Sequence, residues 1–126
     1  MTKKKRTIWT IAILLLGCTV PAFAERDGYL LLRYCSATVN QLEGNQAEKD
    51  QLPDDFSCLV YIAGFTDALK TASSAEQSDI CVPANKIELS ARVFVDYARE
   101  HPECLHLSAG EALALALRHA FPCPAK

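Results

Sequence analysis

Beyond residue 24 the sequence has no apolar run near the roughly 18 residues that a membrane-crossing helix requires, so no bilayer span is expected there. No stretch alternates apolar and polar residues with period two, which argues against strands and for an all-α domain. Basic residues are scarce. Four of the thirteen Lys/Arg are Lys3, Lys4, Lys5 and Arg6, leaving nine against fifteen Asp/Glu in residues 25–126, a balance of −6. Nucleic acid and anionic lipid call for basic patches and are excluded as expected partners, whereas a basic protein fits. No Ser, His and acidic residue fall into a recognisable catalytic motif, so the sequence offers no catalytic residue and no enzyme is expected. His101, Cys104 and His106 spell H-x-x-C-x-H, which matches no common zinc spacing, and neither metal nor cofactor is expected.

The sequence does contain an export signal. A basic segment at 3–6, an apolar segment from Ile8 to Leu16 and the small-residue site Ala22-Phe23-Ala24 predict cleavage after Ala24, leaving residues 25–126 as one soluble periplasmic domain. Leu15-Leu16-Gly17-Cys18 offers an alternative, a lipoprotein anchored at Cys18. Under the first reading Cys18 leaves and five cysteines remain, an odd number in an oxidising compartment.

Helical spacing is clearest from Asp54 to Ala72, where Cys58, Tyr61, Ile62, Phe65, Leu69 and Ala72 share one stripe. Asp54 and Asp55 predict its start through an acidic N-cap. Another helix is predicted from Asp27 to Leu42, with Leu31, Tyr34, Cys35, Thr38 and Leu42 on one face. A third is predicted from Asn85, capped with Glu88 and burying Ile87, Ala91, Phe94, Val95 and Ala98; His101-Pro102 stops it. Ser108 with Glu111 is a second capping box, opening a helix whose apolar face holds Ala112, Leu113, Ala116, Leu117, Ala120 and Phe121. These make a small four-helix domain of two αα-hairpins.

The hairpins restrict the disulfides. Cys81 before the third helix and Cys123 after the fourth fall at one end, and a helix of about 14 residues puts Cys104 roughly 20 Å away. A bridge tolerates a Cα separation of up to about 7 Å. The predicted pairs are therefore Cys81 with Cys123 and Cys35 with Cys58, leaving Cys104 free in the protomer.

Two polar loops are candidate partner-binding surfaces, Glu43 to Asp55 with Glu48 and Asp50, and Ser73 to Asp79 with Glu76, Gln77 and Asp79. Gly64 breaks the pattern of the central helix at a cost of roughly 1 kcal/mol relative to Ala, and is read as a helix-crossing point at a subunit interface. It is the candidate contact of a two-fold homodimer.

Cys58-Leu-Val-Tyr61-Ile-Ala-Gly64-Phe-Thr-Asp67-Ala68, Ile80-Cys81-Val-Pro83, His101-Pro102, and Ala116-Leu117 with Ala120-Phe121-Pro122-Cys123 together resemble the periplasmic Rap/Tai immunity proteins of type VI secretion systems. The resemblance extends from Cys58 to Cys123. It implies a small helical, often dimeric inhibitor of a peptidoglycan-amidase toxin delivered by neighbouring cells. A periplasmic stress chaperone without a toxin partner is the alternative from another class, distinguished by an apolar surface exposed in acid.

Overall fold

Asp27 opens the first helix, α1 (Gly28–Leu42), by accepting the Leu30 N–H on Oδ1 at 2.9 Å. The computed structural model describes residues 27–45, 52–73 and 79–124; the expected export signal and Glu48, Asp50, Glu76 and Gln77 lie outside them. A Schellman motif closes α1. The Gly44 N–H reaches the Gln41 carbonyl and the Asn45 N–H the Asn40 carbonyl, both at 3.0 Å, with Gly44 at φ +77° where a side chain would be strained. Leu31, Cys35, Thr38 and Val39 are buried. Leu42 is not. Expected on the same face, it is 45% exposed because it is the last helical residue, where the chain turns away from the core.

The second helix, α2 (Leu52–Ser73), begins two residues before the expected Asp54 cap. Pro53 is tolerated inside it because first-turn N–H groups have no intrahelical acceptor, so Asp54 and Asp55 occupy the first turn rather than the cap. Cys58, Ile62 and Thr66 are its buried residues, while Tyr61, Phe65 and Leu69 pack half-buried against the core. Ala72 is exposed.

The third helix, α3 (Ile87–Glu100), corrects a second boundary. Its N-cap is Lys86, without a side-chain cap, and the predicted Asn85–Glu88 box does not form. Asn85 adopts φ +57°, the left-handed conformation Asn tolerates better than most residues, and turns the chain from the segment after Asp79 into the helix. Ala91, Phe94, Val95 and Ala98 are buried as expected, and Ile87 is half-buried. A 3-10 turn, Pro102–His106, follows His101 and buries Cys104 and Leu105. The sequence reading contained only a helix stop there. The fourth helix, α4 (Ala109–Ala120), has the predicted capping box: the Glu111 N–H donates to Ser108 Oγ at 3.3 Å and the Ser108 N–H to Glu111 Oε2 at 3.1 Å. It buries Ala112, Leu113, Ala116 and Leu117; Ala120 is exposed and Phe121 half-buried, at and beyond the helix end.

The domain is all-α, as expected. Its hub is α1, which packs against α2, α3, α4 and the 3-10 turn, whereas the longer α2 packs chiefly on α1 and α3. Phe94, Ile62, Leu113, Leu117 and Val95 fill the centre. Both expected disulfides form. Cys35–Cys58 has a Cα separation of 5.0 Å and pins α1 to α2 inside the core; Cys81–Cys123 has 4.9 Å and joins the start of the α3–α4 half to its end. Cys104 is free and buried.

Candidate partner-binding surfaces

Helices bury one stripe and leave the opposite face to solvent, so an apolar residue on that face needs a reason. Two stand out on α2. Phe56 is 70% and Val60 52% exposed, and with Ser57, Tyr61, Gly64 and Phe65 they line an open hollow without a charged side chain. Phe56, Val60 and Gly64 are spaced i, i+4, i+8, a line beside the buried stripe. A Cβ built on Gly64 would meet no other described atom within 4 Å. Among the described residues nothing of the same chain crosses there, so the helix crossing expected at Gly64 does not lie within the described part of the protomer.

A second hollow, about 570 Å³, lies between the later half of α2, the segment 80–83 and the start of α3. Ile80, Val82 and Ile87 give it apolar walls, and Thr66, Lys70 and Lys86 give it polar ones. Lys70 Nζ is paired with Asp67 Oδ1 at 3.2 Å.

The segment beside this hollow is fastened to the C-terminal end of the domain. The Cys81 N–H donates to the Phe121 carbonyl at 2.8 Å and the Cys123 N–H to the Asp79 carbonyl at 3.1 Å, a short antiparallel bridge closed by the disulfide. Asp79, the candidate partner-binding residue that the structure describes, forms an ion pair with Arg118, Oδ2 to Nε at 2.6 Å, while both side chains stay substantially exposed. At the other candidate loop, Arg92 Nη1 donates to Glu43 Oε1 at 2.9 Å and fixes the loop's first residue against α3.

The histidines are each accounted for locally. His101 stacks on Tyr97 with ring centroids 4.3 Å apart and meets Glu103 Oε1 at 3.2 Å; His119 flanks the same Tyr97 at 5.6 Å; His106 Nε2 lies 3.4 Å from Tyr29 Oη. Among the described residues no three His, Cys, Asp or Glu side chains gather as metal ligands. Burial, and secondarily the neighbouring Glu103 carboxylate, push the Cys104 thiol up, away from the reactive thiolate.

Comparison with known proteins supplies the family. The sequence profile of the Rap1a immunity proteins matches residues 27–123, spanning the four described helices and both disulfides. This chain belongs to the Rap1a immunity protein family. The resemblance read from helix α2 and the Cys81 and Cys123 segments thus holds over a longer stretch, including α1. Membership gives the chain the role of a type VI effector immunity protein, whose partner is a toxin. No curated protein and no solved structure matches it. Among the described residues no helix is long and apolar enough to cross a membrane.

Sequence reasoning missed Phe56, Val60 and the 3-10 turn. The first two were legible as a second apolar line on α2, four residues apart and off the main stripe.

Proposed function

We propose that the chain is exported through the signal at residues 1–24, and that residues 25–126 neutralise a peptidoglycan amidase in the periplasm by stoichiometric binding, as a homodimer. The family match over residues 27–123 carries this reading. The −6 balance of residues 25–126 supports attraction to a basic toxin cleft, and the two polar loops lie at ends of helices held rigid by disulfides. An inhibitor of this kind needs no catalytic group. It needs a fixed surface that excludes water and substrate from the toxin's cleft.

The α2 face supports the dimer. In an antiparallel α2–α2 contact with the two-fold axis at Val60, Phe56 of one protomer faces Gly64 of its partner, because each lies four residues from the axis. A C2 interface demands such reciprocity, a projection on one copy meeting a gap on the other. Sedimentation at tens of micromolar is expected to give twice the protomer mass, and a mass of one protomer would refute the dimer.

The two loops separate kinetically when binding to the purified toxin is measured. If 43–55 steers the encounter, added salt and Glu48→Lys with Asp50→Lys slow association. If 73–79 plugs the cleft, Glu76→Ala and Gln77→Ala instead speed dissociation. Failure to bind the product of the adjacent reading frame would overturn the proposal.

A further inference from the structure

We infer that the Cys81–Cys123 bond is a solvent-facing thiol–disulfide exchange site, open to a dithiol reductant in the folded protein, whereas Cys35–Cys58 is closed to it. This goes beyond the toxin-binding reading and does not depend on it. Disulfide exchange requires a thiolate to reach one sulfur in line with the S–S bond, so access decides which bond reacts in the native state. The two bridges differ sharply in access. Cys35 and Cys58 are each 0% exposed, between α1 and α2 in the centre of the core. Cys81 is exposed and Cys123 half-buried, on non-helical backbone where the chain leaves the helices.

The step runs as follows. A thiolate of the dithiol attacks Cys81 Sγ, the Cys81–Cys123 bond breaks, and its electron pair leaves on Cys123 Sγ, which takes a proton from water. The reductant's second thiol then attacks the reductant's own sulfur in the mixed disulfide, releasing Cys81 as a thiol and leaving the reductant as a disulfide. Two electrons pass to the protein.

What remains keeps the site in register. The two backbone hydrogen bonds between 79–81 and 121–123 and the Arg118–Asp79 ion pair do not involve sulfur, so the thiols stay poised to re-form the bond. Cys104 does not intercept them: it is buried in the 3-10 turn at the far end of α4, a helix whose 12 residues span roughly 18 Å. Reduction therefore loosens the wall of the 570 Å³ hollow, which Cys81 and Val82 line, and leaves the α1–α2 staple intact.

The test uses the wild-type folded protein, so no variant has to fold. It is incubated with dithiothreitol in native buffer, quenched at intervals with iodoacetamide, and mapped by peptide mass alongside far-ultraviolet circular dichroism. The expected result is alkylation of Cys81 and Cys123 at least tenfold faster than of Cys35 and Cys58, with the helical signal retained and Cys104 unlabelled while that signal lasts. Removal of the dithiol in air restores the original pair. Loss of both bonds together, loss of Cys35–Cys58 first, resistance of both bonds, or a new disulfide to Cys104 would each overturn the inference.

Discussion

Gly28→Ala gives the sharpest test of how α1 is seated, because helix propensity and packing predict opposite signs. By propensity alone, Ala in place of Gly stabilises a helix by up to about 1 kcal/mol. Packing says otherwise. A Cβ at position 28 would lie 2.7 Å from the Leu105 Cα, 3.1 Å from the Leu105 carbonyl oxygen and 3.2 Å from that of Cys104. These are backbone atoms of the 3-10 turn and cannot rotate aside, so the helix start must move outward. Movement weakens the Gly28 N–H to Leu107 carbonyl bond of 3.0 Å and the bridge between Asp27 and Ser108. Overpacking costs about 1–3 kcal/mol and a hydrogen bond contributes about 1, so after the propensity gain the net loss is about 2 kcal/mol. For a domain of this size that lowers Tm by roughly 8–16 °C. Thermal unfolding followed by circular dichroism reads this directly, and an unchanged or raised Tm would refute the close approach of α1 to the turn.

Gly64→Ala should behave oppositely within one protomer, raising stability by about 0.5–1 kcal/mol in chemical melts, since nothing described opposes a side chain there. Gly64→Leu should leave the protomer folded but halve the sedimentation mass of the proposed dimer; an unchanged dimer would move the interface elsewhere. Glu111 supplies a pH signature. The Ser108 hydroxyl, and then its backbone N–H, hold this carboxyl below the usual glutamate range. Its stabilising contribution is therefore present above about pH 4.5, the ordinary value, and is lost as pH falls through the lower folded value. Urea midpoints for wild type and Glu111→Gln should accordingly converge as pH drops from 6 to 3, and parallel curves would contradict the capping box.

Where local chemistry was sufficient, the sequence was readable. Ser108 and Glu111 satisfy each other within one turn, and the cysteine pairs follow once the helices are antiparallel, so both are legible in the sequence. Asn85 was not, because Asn serves equally as an N-cap and as a left-handed turn residue; the need to redirect the chain after the Cys81–Cys123 bridge decides between them. Pro102–His106 carries no periodicity and gains its structure from packing Cys104 and Leu105 against the start of α1. The stripe of α2 is the clearest in the sequence, yet α1 is the hub, since an element's centrality depends on how many partners reach it. The Phe56–Val60–Gly64 line is surplus to that stripe, with two exposed apolar residues that the described fold of the protomer does not require.

The central claim is neutralisation of a secreted toxin, and the most direct measurement is protection. When the product of the adjacent reading frame is directed to the periplasm, cells should lyse without this protein and survive when it is co-exported. Equal lysis in both, with the protein shown by protease resistance to be exported and folded, would contradict the account.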